Sequence, residues 1–100
     1  MRIYYIMAEA VPRDDNEESR EFGGAYINLF VKAEAKREAL TRAKAHVAGE
    51  GWSWVSTEEA SPAKREEFDD PDSQECYDEA CTDGISAAFY TWPLHEEPVS

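Results

Sequence analysis

Ala25-Tyr26-Ile27-Asn28-Leu29-Phe30-Val31 is followed by the run Ala35 to Ala48 and then by Trp52-Ser53-Trp54-Val55-Ser56, and this succession sets the expected topology. In the first segment Tyr26, Asn28 and Phe30 share one face, while Ala25, Ile27, Leu29 and Val31 share the other. That alternation is a strand, and its purely aliphatic side is the one that should turn toward helices. From Ala35 the composition flips to strong helix formers. Ala39, Leu40, Ala43 and Val47 recur at spacings of three and four, which stacks them in one narrow apolar stripe. Gly49 and Gly51, either side of Glu50, supply a left-handed stop, whereas Ala35 has no side-chain oxygen to cap the first turn. The segment Trp52 to Ser56 is the next strand. Strand, helix and strand over residues 25 to 56 have the proportions of a right-handed βαβ unit with parallel strands.

Upstream, Ile3-Tyr4-Tyr5-Ile6-Met7-Ala8 reads as a strand that stops near Pro12, and Arg13 to Glu21 contains no apolar residue, as a solvated loop would. Gly23 and Gly24 then release the chain into the strand at Ala25. Downstream of Ser61-Pro62 the chain is polar and acidic until Asp72, which follows Pro71 and matches a capping box with Glu75. A helix from Ser73 to about Thr82 is expected, with Cys76, Tyr77, Ala80 and Cys81 as its apolar stripe and Asp83-Gly84 as its stop. A last strand runs from Ile85 to Trp92 until Pro93 interrupts the ladder. The expected fold is therefore α+β with two layers, in the order ββαβαβ. It has a four-stranded mixed sheet with both helices on one face, an architecture of ferredoxin-like type. A chain of 100 residues accommodates one such domain, over residues 1–92, and a polar, flexible tail over 93–100.

Charge is segregated along this frame. Residues 32 to 49 carry five basic and two acidic side chains, whereas 50 to 83 carry two basic and twelve acidic ones, in a chain whose net charge is −12. Glu66, Glu67, Asp69, Asp70, Asp72, Glu75, Asp78 and Glu79 fall within fourteen residues. A field of this sign opposes binding to nucleic acid phosphates or to anionic membrane, and it rewards basic partners. Met1 to Ala10 has no long apolar stretch of the secretory kind, and no apolar run approaches a membrane span, so a cytoplasmic protein is expected.

Catalytic motifs are not found. His46 lies late in the first helix, where an imidazole suits the helix dipole, and His95 lies in the tail; neither has a metal-ligand or catalytic spacing. Cys76 and Cys81 are five apart, so on one helix they point about 140° away from each other and cannot share a metal or close a disulfide. Their acidic surroundings should raise a thiol pKa, and both read as buried structural thiols. The acidic run lacks the glycine and alternating oxygens of a calcium loop, and the five glycines form no phosphate-binding pattern. No cofactor, no metal and no enzymatic activity are expected.

The leading expectation is a noncatalytic binding or inhibitory protein that docks a basic partner through the eight carboxylates between Glu66 and Glu79. An alternative is a homodimeric small-molecule-binding domain. Both helices on one side would leave the other face of the sheet open, and Tyr26, Phe30, Trp52 and Trp54, with Tyr90 and Trp92, would gather there. A third reading is a small enzyme using His46, Cys76 or a carboxylate pair, and it requires a cleft in which those groups meet.

Overall fold

A computed structural model describes residues 1–93; the expected tail beyond Pro93, with His95, lies outside the described residues. The elements are β1 (Arg2–Pro12), β2 (Phe22–Ala33), α1 (Lys36–Gly49), β3 (Trp52–Ala63), α2 (Pro71–Asp83) and β4 (Ile85–Pro93). Short 3-10 turns occur at Glu17–Arg20 and Arg65–Glu67. The elements follow one another in the expected succession ββαβαβ, but they do not take the expected ferredoxin-like arrangement. The sheet has the order β3-β1-β2-β4, and every neighbouring pair is antiparallel.

Two expectations need correction. The sheet is not mixed. Strands β2 and β3 do run parallel to each other, but β1 lies between them, so no parallel pair is hydrogen-bonded. The reason is visible in β1 itself, where Ile3, Tyr4, Tyr5, Ile6, Met7 and Ala8 are apolar at both parities. A strand of that kind belongs in the interior of a sheet covered on both faces.

The helices are not on one face either. Helix α1 brings Ala39, Ala43 and Val47 onto Tyr4, Ile6 and Ala10 of β1 and onto Ala25, Ile27, Leu29, Val31 and Ala33 of β2. Helix α2 brings Ala80, flanked by Cys76 and Tyr77, onto Ile3 and Phe30. These strand residues have the opposite parity, so α2 sits on the other side of the sheet and the domain has three layers. Placing both helices together would leave Ile3, Tyr5 and Phe30 in water, at a cost of about 1.5–3 kcal/mol for each large side chain.

The start of α2 lies two residues earlier than the expected capping box. Pro71 occupies the first turn, where its missing N–H is no loss, and this makes Asp70 the cap: its carboxylate accepts from the Ser73 N–H at 2.9 Å. The helix stops at Gly84, whose φ of 93° is strained for any residue with a Cβ and whose N–H donates to the Ala80 carbonyl. The Arg13–Glu21 loop is tied down: the Asn16 side chain and the Arg13 N–H both donate to the Gly51 carbonyl at 2.9 Å, just past α1.

Asp70 gives a pH signature. The hydrogen bonds from Ser73 hold its carboxyl below the ordinary aspartate value of 3.8. A depressed folded-state pKa means that the cap contributes fully above 3.8 and that its contribution disappears as pH falls through the lower, folded value. Asp70→Ala should therefore melt at a lower temperature than the parent at pH 7, and the two melting curves should converge on acidification below that window. A gap that persists unchanged at pH 2 would show that the carboxylate is not the cause.

Candidate partner-binding surface

All eight carboxylates of the acidic segment are exposed, and they divide by employment. Asp70 caps α2, the Glu67 carboxylate accepts from the Lys64 N–H at 2.6 Å, and Asp78 forms a two-point pair with Arg65 at 2.9 and 3.2 Å. Among the described residues, Glu66, Asp69, Asp72, Glu75 and Glu79 have no ion pair or side-chain hydrogen bond within the chain.

Three of these five converge. Asp72, Glu75 and Glu79 follow each other at three and four residues along α2, which puts them on one flank of the helix. That flank is the wall of a depression of about 330 Å³ whose floor is Asn28 and Phe30 of β2 and Ala87, Ala88 and Tyr90 of β4. The Tyr5 hydroxyl donates to the Asn28 side-chain carbonyl at 3.2 Å and fixes the floor. Two titratable groups in and beside the depression are shifted, chiefly by burial. Burial pushes the Cys76 thiol up, and Glu79, Glu75 and Asp72 add to the shift. Burial also raises the Tyr5 phenol, with Glu59 as the next cause.

The floor continues onto an aromatic platform. Tyr90 is 55% exposed and lies directly across from Tyr26, which is 45% exposed, in the β2–β4 register. Tyr26 in turn packs against Trp92 with ring centroids 5.2 Å apart. Trp92 leans over Gly24, where a Cβ would collide with its ring, so the indole is seated on bare backbone. Tyr26, Tyr90 and Trp92 therefore gather on one face as expected from their parity.

The other aromatic residues expected there do not. Trp52 and Trp54 pair with Pro12 and Ala10 of β1 and lie on the α1 side, where Trp52 is buried against Phe89 at 5.5 Å and Trp54 packs on the same core beneath Lys44. Phe30 has the expected parity, but α2 and Phe68 bury it. The open patch is thus smaller than the proposed dimer face and excludes three of its four named residues. Asn28 joins the floor without any motif of its own; its place between Tyr26 and Phe30 on the same parity is the signal the sequence offers.

The catalytic candidates remain apart. His46 is half-buried in the last turn of α1, on the opposite side of the sheet from Cys76 on α2. Cys76 is half-buried, as a structural thiol would be, whereas Cys81 is exposed and corrects the expectation for that residue. The raised Cys76 pKa works against a reactive thiolate. Among the described residues no three His, Cys, Asp or Glu side chains converge as a metal site would, and no helix is long and apolar enough to cross a membrane.

No protein-family model matches this chain, and neither the curated proteins nor the solved structures include a match to it.

Proposed function

We propose that this protein is a noncatalytic binder that docks a basic protein partner against α2 and the open end of the sheet, and that it inhibits that partner by covering a basic surface. The observation that carries this reading is the continuity of the carboxylate flank Asp72, Glu75 and Glu79 with the exposed rings of Tyr90 and Tyr26. An arginine or lysine side chain has an apolar stem and a cationic head. The platform supplies an aromatic face for the stem or for a guanidinium plane, and the helix flank supplies charge for the head. The excess negative charge of the whole chain steers such a partner at long range, which makes association fast and sensitive to salt.

The test is affinity capture from the source cell's lysate at low and at high salt, followed by amide chemical-shift mapping with the captured protein. A basic protein held at low salt and released at high salt is expected, with shifts concentrated on α2, Asn28 and Tyr90. Capture that ignores salt, or shifts centred on α1, would refute the reading.

A further inference from the structure

We infer that the chain carries a second site, independent of the acidic groove: a pocket for a small organic anion with an apolar body. It lies on the other flank of α2, where the start of β1, the end of β2 and the end of β3 meet Tyr77 and Cys81 of the helix. Its volume is about 880 Å³, within the range of roughly 300–1,000 Å³ found for small-molecule sites.

The lining is of two kinds. Ile3, Pro62, Ala63 and Tyr77 form an apolar half; Ile3 is buried, and Ala63 and Tyr77 are half-buried. Arg2, Lys32 and Lys64 belong to the same lining, three of the ten Lys and Arg residues of a strongly acidic chain. Together they make a net positive rim that calls for an anionic partner. The single carboxylate in the lining, Glu67, does not answer it fully, since one of its oxygens already accepts from the Lys64 N–H at 2.6 Å. Lys32 donates to the Cys81 carbonyl at 3.3 Å, which uses one of its three N–H bonds and leaves two for a ligand. A ligand that offers an anionic head to Lys32 and Lys64 and lays an aliphatic or aromatic body over Ile3 and Tyr77 satisfies both halves. A basic ligand, suited to the groove on the opposite flank of the helix, fails at the cations here.

Octanoate is the probe of choice, titrated into the full-length nitrogen-15-labelled protein below its micelle concentration. Acetate, which has the head without the body, and octylammonium, which has the body with the wrong head, serve as comparisons. Saturable amide shifts confined to Ile3, Lys32, Ala63, Lys64, Tyr77 and Cys81 are expected with octanoate, at least ten-fold weaker with either comparison. Lys32→Met together with Lys64→Met should weaken octanoate at least ten-fold while the dispersed spectrum is retained. Absent or scattered octanoate shifts, or equal binding of octylammonium, would overturn the inference. Should the double variant unfold, the three-ligand comparison on the parent protein decides the matter by itself.

Discussion

Phe30→Ala is expected to lower the free energy of unfolding by about 3–5 kcal/mol, which is a large share of the roughly 5–15 kcal/mol that holds a domain of this size together. Phe30 is 2% exposed and is the hub of the α2 layer. Its ring lies 5.4 Å from Tyr5, 5.0 Å from Phe68 and 6.0 Å from Tyr77. Pairs of this kind add about 0.5–1.5 kcal/mol beyond the area they bury. The α2 side of the sheet has few alternatives, since Ile3, Phe30 and Ala80 are the buried residues of that cluster. The α1 side has a much longer aliphatic floor. The loss should therefore be unequal: amides of α2 should exchange faster than those of α1 well below the global transition. Urea unfolding followed by far-ultraviolet circular dichroism gives the size of the effect. A change under about 1.5 kcal/mol, or equal exchange in both helices, would mean that α2 is not anchored through this ring.

The layer that Phe30 holds is also the part of the fold least legible in the sequence. Element order was readable because periodicity and helix stops are local: the stripe of Ala39, Leu40, Ala43 and Val47 and the glycine at position 84 each act within a few residues. Which face a helix covers is not local. The signal that existed was apolar content at both parities of β1, which calls for cover on both sides, and it conflicts with the economical two-layer arrangement. Trp52 and Trp54 show the same limit. That they share a face follows from their spacing, but the face is set by pairing with Pro12 and Ala10 across β1. Beyond them the β1–β3 register shifts twice, leaving Val55 and Glu58 without partners. Such bulges reverse parity and have no sequence mark as plain as a glycine turn. The acidic wall was legible as a charge run. Its division into capping, pairing and unengaged carboxylates required the start of α2 to be placed at Asp70.

That division determines how the proposed surface should be tested. Reversal of Asp69, Asp70 and Asp72 would remove the helix cap along with the charge, so lost binding could reflect a frayed α2. Asp72→Lys, Glu75→Lys and Glu79→Lys together leave the cap in place and change only the groove wall. If each carboxylate meets a cation across a partly dehydrated interface, the three together should weaken binding of the basic partner by about a thousand-fold, at roughly ten-fold each. A matched control separates contact from the general field. Asp14→Lys, Glu17→Lys and Glu21→Lys lie in the exposed loop between β1 and β2 and make the same change in net charge, from −12 to −6, three reversals of two units each. At physiological ionic strength the screening length is about 8 Å, so charges on that loop act on a partner in the groove only weakly, and a loss of about ten-fold or less is expected. Isothermal titration of both variants at 150 mM salt, chosen to match that screening length, makes the comparison direct. Equal losses in the two would mean that the partner responds to the overall charge and that the groove is not its seat; a loss confined to the α2 variant places the contact on the flank of Asp72, Glu75 and Glu79.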